Sequence, residues 1–122
     1  MKGLNELDRK FEEAVHSDLG YDSFTHFMLS GSITKMAVQE VLENLEEWTA
    51  IRKTDTSLLI GPGTSYIQPE PLGLSLIVGA WNYPVFTILP QLAVAVAAGN
   101  CAVLKPSELA PATSAVVKLL VD

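Results

Sequence analysis

Cysteine is nearly absent from this sequence, and basic or metal-binding segments are absent altogether. Cys101 is the one cysteine among 122 residues, which excludes an internal disulfide framework and favours a reducing compartment. Lysine and arginine number 8 against 14 aspartates and glutamates, and this acidic balance argues against nucleic acid as a partner. No zinc-ligand spacing is present, so no metal site is predicted. The first residues are charged, which predicts no secretory signal and a cytoplasmic location.

Charged side chains are also missing from the long segment 71–104. A membrane-spanning helix needs about 20 uninterrupted apolar residues. Here glycine, proline and amide residues cut the segment into shorter pieces: Gly79, Asn82, Pro84, Pro90, Gln91, Gly99 and Asn100. A membrane span is therefore not expected, although a small membrane-associated protein stays open as an alternative.

The first fifty residues carry most of the charge and show helical periodicity. Apolar residues at steps of three and four predict one helix that Gly20 closes: Leu4, Leu7, Phe11 and Val15. A longer helix is predicted over 23–50, with a kink at Ser30-Gly31-Ser32. The face opposite its glutamates is an apolar stripe, which consists of Val38, Val41, Leu42, Leu45 and Trp48. His16 and His26 are expected on the polar surface of these helices, not as ligands.

The middle of the chain is rich in turn-forming residues, and the next part is rich in apolar ones. Leu58-Leu59-Ile60, Gly61-Pro62-Gly63 and the following residues 64–67 predict a β-hairpin or β-arm. The continuous apolar run over 72–80 is typical of a parallel strand buried on both faces. Residues 101–104 predict a second, shorter strand.

Helices are predicted to follow both of these strands. Residues 85–98 form an Ala-rich buried helix with Pro90 near its start, and Pro111 begins a last helix. Strand, helix, strand and helix in this order make a right-handed βαβα unit of the α/β class. The chain therefore divides into three segments: N-terminal helices over 1–53, a β-arm or linker over 54–71, and a partial α/β domain over 72–122.

Polar side chains follow each predicted strand, where open α/β sheets bind ligands. Asn82 follows the first strand, whereas Lys105 and Glu108 follow the second, so topology predicts that they line one crevice. An Asn amide at a strand end can stabilise an oxyanion, or it can simply satisfy the backbone of a turn. Lys105 and Glu108 can bind a ribose or phosphate, or they can form an ion pair at a helix start. No Gly-rich phosphate loop is present.

Four short motifs in this order closely resemble the aldehyde dehydrogenase superfamily: Glu70-Pro71-Leu72-Gly73, Trp81-Asn82-Tyr83-Pro84, Ala98-Gly99-Asn100 and Leu104-Lys105-Pro106-Ser107-Glu108. Asp18-Leu19-Gly20 with the long helix to Trp48 is most similar to the class 3 branch. The resemblance covers nearly the whole chain, which corresponds to the amino-terminal part of a family member. It implies N-terminal helices and a β-arm followed by an incomplete βαβα portion of a Rossmann-like cofactor-binding domain.

The resemblance also implies roles for individual residues. Asn82 would donate its amide to the oxyanion of a thiohemiacetal. Lys105 and Glu108 would hydrogen-bond the hydroxyls of the adenosine ribose of NAD or NADP. Three residues at the end of the first strand would lie near the same cofactor: Gly79, Ala80 and Trp81.

The family oxidises aldehydes to carboxylates, and this chain is expected to contribute only part of that chemistry. In the family a cysteine thiolate attacks the carbonyl, hydride passes to the nicotinamide, and water cleaves the thioester. The nucleophilic cysteine and the general-base glutamate lie in later motifs, and Cys101 stands where the family has a small buried residue. The chain alone is therefore expected to be inactive. The alternative is a short noncatalytic module that dimerises or docks with full-length family members.

Overall fold

The computed structural model describes all 122 residues, and helices make up its first part. The helices are α1 (Lys2–Glu6), α2 (Asp8–Leu19), α3 (Ser23–His26) and α4 (Ser32–Thr49). A π-helical turn over Phe27–Gly31 joins α3 to α4, so the predicted long helix is continuous and irregular where a kink is expected. Gly20 has a φ of 71° and its N–H donates to the His16 carbonyl, which confirms it as the residue that ends α2.

Two details of the predicted helices differ from the structure. The first helix is interrupted at Leu7, whose φ of −100° and ψ of 2° lie outside helical values. On α4, Val38 and Val41 are buried as predicted, but Leu42 and Trp48 are 53% and 49% exposed. Neighbouring elements leave about half of these two side chains uncovered, so the stripe is only partly buried.

The prediction that His26 lies on the polar surface is wrong. Its side chain is buried at 4% exposure, and its Nε2 lies 3.7 Å from Asp8 Oδ1. Residues spaced four apart lie on one face of a helix, and here that face packs on α2. His26, Ser30 and Thr34 therefore all face the interior, where their side-chain polar atoms have no partner within the chain. His16 is exposed, as predicted.

The β-hairpin is present, but its first strand is not the predicted one. β1 (Arg52–Thr54) pairs antiparallel with β2 (Ser65–Ile67). Leu58–Ile60 instead forms a 3-10 turn, which Ser57 caps by accepting from Leu59 N. Gly63 N donates to the Ile60 carbonyl, so the turn folds back before these residues can extend as a strand. The segment boundary predicted at residue 53 falls within β1.

The second half of the chain confirms the α/β prediction. β3 (Leu74–Val78) and β4 (Cys101–Lys105) are parallel neighbours, with α5 (Leu89–Ala97) between them and α6 (Pro111–Val121) after them. α5 is shorter than predicted because residues 84–88 form turns and Pro90 stands in its first turn. None of the helices combines the length and the apolarity that crossing a membrane requires.

Burial of β3 on both faces is not observed. Ile77 is 9% exposed, whereas the alternating residues Leu74, Leu76 and Val78 are 61–69% exposed. Successive side chains of a strand point to opposite faces, so one face of the sheet is covered by the helices and the other is bare. The helix α5 is likewise only partly buried, since Val94 and Val96 are half exposed.

One hydrophobic core connects the helical front to the sheet. It is centred on Phe11, Val15, Ile88 and Val117, which are at most 2% exposed. α2 packs on α6, and α4 packs on α5. The front helices therefore hold a defined position relative to the ends of β3 and β4.

Candidate functional site

The carboxyl ends of β3 and β4 meet at one edge of the sheet. Val78 pairs with Lys105 as the last residues in register, and Gly79 N donates to the Lys105 carbonyl at 3.0 Å. The segment after β3, with Asn82, thus begins beside the segment after β4, with Glu108. The two segments that carry the predicted polar residues therefore start at the same edge of the sheet.

A buried contact explains the glycine at the end of β3. A Cβ built on Gly79 would lie 2.4 Å from Ile88 Cδ1, and Ile88 is 0% exposed. Real Cβ atoms do not approach so closely, so a side chain at this position would displace Ile88. Glycine therefore allows the turn after β3 to fold back onto the end of the strand.

Thr87 organises this turn, and sequence reasoning does not single it out. Its Oγ1 accepts from Ala80 N at 3.1 Å and donates to the Tyr83 carbonyl at 2.9 Å. One hydroxyl thereby ties the beginning of the turn to its end. The only signal in the sequence is a lone hydroxyl within an apolar run.

Trp81 and Asn82 are exposed at the tip of the turn. The Asn82 side-chain amide makes no hydrogen bond to the rest of the chain, whereas its backbone carbonyl accepts from Tyr21 Oη at 3.0 Å. An amide group is a neutral donor of two protons. Its N–H groups are therefore available to an oxyanion or a carbonyl placed beyond the sheet edge, and they do not serve the local turn.

Lys105 and Glu108 form an exposed ion pair across the turn after β4. Lys105 Nζ donates to Glu108 Oε2 at 2.5 Å. The hydrogen bond from Lys105 lowers the pKa of the Glu108 carboxyl, and its own backbone N–H and the Lys105 charge lower it further. The pair presents an ammonium donor beside a carboxylate acceptor, and such a combination suits two neighbouring hydroxyls. Both expectations for these residues, an ion pair and a polar ligand site, are compatible with this arrangement.

The pH dependence of this pair yields a test. Because the folded pKa of Glu108 is depressed, the pair is complete above the ordinary value of 4.5 and is lost as pH falls through the lowered folded value. Carboxyl titration by NMR should show the pKa of Glu108 below its ordinary range, and Lys105→Met should raise it toward that range. Lys53→Met, a change far from the pair, is the control. An unchanged Glu108 titration in Lys105→Met would contradict the assigned cause.

Cys101 lies far from these groups, and the expectation of a buried thiol there is wrong. Its residue is exposed, since it stands on the uncovered face of the sheet. It begins β4, whereas Lys105 ends it. With a rise of about 3.3 Å per residue, the two ends of this strand are about 13 Å apart. The thiol is thus not positioned beside Asn82.

Two large grooves on the surface of the chain lie away from the edge that carries Asn82, Lys105 and Glu108. One of about 320 Å³ is lined by residues near the amino ends of the strands, including Trp48, Pro71 and Gly99. Asn82, Lys105 and Glu108 instead sit on an open edge. No group of histidine, cysteine or acidic side chains has the arrangement of a metal site.

Comparison with known proteins finds aldehyde dehydrogenases among the relatives of this chain. The model of the aldehyde dehydrogenase family matches residues 27–122. An aldehyde dehydrogenase of Craterostigma plantagineum is 41% identical and aligns with 100% of the chain and 26% of its own length. Aldehyde dehydrogenase family 3 member A2 of Macaca fascicularis is 47% identical over 96% of the chain and 24% of its own length.

A solved structure has the same fold over nearly the whole chain. It is the substrate-bound state of Staphylococcus aureus AldH, with a TM-score of 0.94 and 35% identity. The match covers 98% of this chain and 26% of that one. The chain therefore spans about a quarter of the length of the relatives it matches.

Proposed function

The chain belongs to the aldehyde dehydrogenase family, and we propose that it forms the amino-terminal, cofactor-facing part of an enzyme that oxidises aldehydes to carboxylic acids with NAD or NADP. The observation that carries the proposal is that the Asn82 turn begins beside the end of β4, where the Lys105–Glu108 pair stands. An oxyanion donor at that edge suits the aldehyde, and a polar ligand site beside it suits the dinucleotide.

Asn82 is proposed to stabilise the charge that develops on the aldehyde oxygen. When a nucleophile adds to the carbonyl carbon, its oxygen becomes an oxyanion that accepts a hydrogen bond from the Asn82 amide. A donor that is already in place is most valuable in the transition state, where the charge appears. The exposed amide without an intrachain partner supports this role.

The covalent step is proposed to need a nucleophile other than Cys101. That thiol lies at the opposite end of β4 from Lys105, so it does not reach a carbonyl bound at Asn82. No other cysteine is present among these 122 residues. A polypeptide limited to residues 1–122 is therefore expected to give no turnover.

The residues at the edge fit a dinucleotide. The Lys105 ammonium can donate to a ribose hydroxyl while the Glu108 carboxylate accepts from its neighbour, and Gly79, Ala80 and Trp81 line the adjoining strand end. When bound, the dinucleotide accepts hydride from the substrate. The Glu108 side chain is a carboxylate at neutral pH and would repel a 2′-phosphate. We therefore expect NAD to be preferred over NADP.

The test uses the complete natural protein that carries these residues, its extent established by peptide mass spectrometry. Hexanal and benzaldehyde serve as probes, and the absorbance of the reduced dinucleotide is followed with NAD and with NADP. Oxidation that depends on the dinucleotide, faster with NAD, is the expected result. A protein that binds neither dinucleotide and oxidises neither probe contradicts the proposal.

A second candidate function, the noncatalytic module, is favoured by one observation. The bare face of the sheet carries exposed Leu74, Leu76 and Val78. Such a surface favours docking against a full-length family member, where it would be buried. A natural product that ends at Asp122 and elutes bound to such an enzyme supports this candidate, whereas peptides continuing past Asp122 oppose it.

A further inference from the structure

The end of α2 and the loop that follows it, residues 18–22, contact the segments that follow both strands. Tyr21 Oη donates to the Asn82 carbonyl at 3.0 Å. The Asp18 carboxylate accepts from Thr113 N and Thr113 Oγ1 at 2.7 and 2.8 Å, at the start of α6. We propose that Tyr21 is a positioning residue that holds Asn82 for its catalytic contact. The inference rests on the proposed function of Asn82 as oxyanion donor.

The backbone on either side of Tyr21 in the chain is fixed by local contacts. Gly20, in the left-handed conformation, ends α2 and turns the chain toward the sheet edge. His16 Nδ1 donates to the Tyr21 carbonyl at 2.8 Å. Asp22 then caps α3 by accepting from Thr25 N at 2.7 Å. The half-buried Tyr21 ring also packs on the hydrophobic core, so the hydroxyl has a defined position.

The contact restrains the backbone of Asn82 from outside the turn, whereas the hydrogen bonds of Thr87 restrain the turn from within. The carbonyl that Tyr21 holds belongs to the planar peptide joining Asn82 to Tyr83. The next carbonyl, that of Tyr83, accepts from Thr87 Oγ1. Two successive carbonyls are thus fixed, one by the helical front and one by the turn itself. Catalytic donors must be held to within about 0.5 Å to be effective, so loss of either restraint should reduce the rate.

The Tyr21 hydroxyl is a donor at neutral pH. Burial raises the pKa of Tyr21 above its ordinary value, and the neighbouring Tyr83 raises it further. The hydroxyl therefore keeps its proton well into the alkaline range. The hydrogen bond to the Asn82 carbonyl is present throughout the pH range in which an enzyme of this kind would be assayed.

The first experiment is Tyr21→Phe in the complete natural protein, which removes one hydroxyl and keeps the ring. The expected result is a fall of about three- to tenfold in kcat with the KM for NAD unchanged, because one neutral hydrogen bond is lost away from the dinucleotide. Tyr66→Phe is the matched control, since Tyr66 is an exposed tyrosine whose hydroxyl makes no hydrogen bond within the chain. A kcat for Tyr21→Phe equal to that of Tyr66→Phe overturns the proposal.

A double-mutant cycle separates positioning from general support of the fold. If Tyr21 acts through Asn82, Tyr21→Phe should have no further effect on kcat once Asn82 is alanine. If it only stabilises the fold, its fold-change should persist in the Asn82→Ala background. A persistent effect overturns the positioning role.

Hydrogen exchange supplies a readout that does not depend on activity. In Tyr21→Phe, amides of the segment 79–88 should exchange about three- to tenfold faster than in wild type, while those of α4 stay unchanged. Unchanged exchange in 79–88 overturns the proposal. If the wild-type protein oxidises no aldehyde but this segment loosens, the contact stands as a restraint on the turn and the proposed function fails instead.

Discussion

Replacing Asn82 by alanine is expected to lower kcat of the complete enzyme about 10²–10³-fold, with kcat/KM falling in parallel. Removal of one donor from an oxyanion hole has an effect of this size, because the hydrogen bond strengthens as charge develops on the substrate oxygen. The side chain is exposed and serves no hydrogen bond within the chain, so the loss should be confined to chemistry. Initial rates at saturating NAD with hexanal as substrate measure it.

Asn5→Ala is the control for this change. Asn5 is an exposed asparagine on α1 whose side chain also makes no hydrogen bond within the chain. Its replacement should leave kcat within experimental error of wild type, and NAD affinity should be the same in all three proteins. A near-normal rate for Asn82→Ala would refute the oxyanion role and would leave the asparagine as a turn residue.

Replacing Gly79 by alanine is expected to lower the free energy of local opening at the sheet edge by about 1–3 kcal/mol. This is the usual destabilisation when an extra methyl group is forced into a filled core. The added Cβ would lie 2.4 Å from Cδ1 and 2.5 Å from Cγ1 of Ile88. Because Ile88 is fully buried, its side chain has no free space in which to avoid this contact. Hydrogen exchange of the segment 79–88 in the complete protein measures the change, at about tenfold for each 1.4 kcal/mol.

The cause of this effect can be isolated with a second substitution. Ile88→Ala removes the two atoms that collide and leaves a cavity, which has a penalty of its own of about 2–5 kcal/mol. In the double variant, Gly79→Ala should add little to the effect of Ile88→Ala, because the space is then free. Additive effects would show that the glycine is needed for a reason other than Ile88.

Local patterns in the sequence account for most of the secondary structure. The spacing of Phe11 and Val15 predicts the buried face of α2, Gly20 predicts its end, and Pro111 predicts the first residue of α6. Each of these signals acts within one or two turns of chain. The two errors in the strands, at Leu58–Ile60 and at the bare face of β3, have a different origin. Both depend on which distant residues are available to pair with or cover a segment.

The sequence predicts at which edge of the sheet the candidate site lies, but it does not predict the contacts that hold its residues. That Asn82 follows β3 and Lys105 ends the neighbouring parallel strand β4 is enough to predict both at one edge of the sheet. Tyr21 and Thr87 carry no comparable signal. Tyr21 reaches Asn82 across 61 residues of sequence, and Thr87 acts through its hydroxyl within an otherwise apolar run. Burial of His26 depends on the packing of α3 and the π turn on α2, which no local pattern indicates.

The amino-acid sequence by itself determined the α/β class, the order of the βαβα elements, the family resemblance and the sheet edge at which the polar residues collect. These follow from periodicity, turn residues and short motifs, all of which are local. Only the tertiary structure decided that Tyr21 holds the Asn82 turn, that His26 is buried and that Cys101 lies away from the site. Those outcomes depend on how helices dock on the sheet, and docking is set by the summed packing of many distant residues.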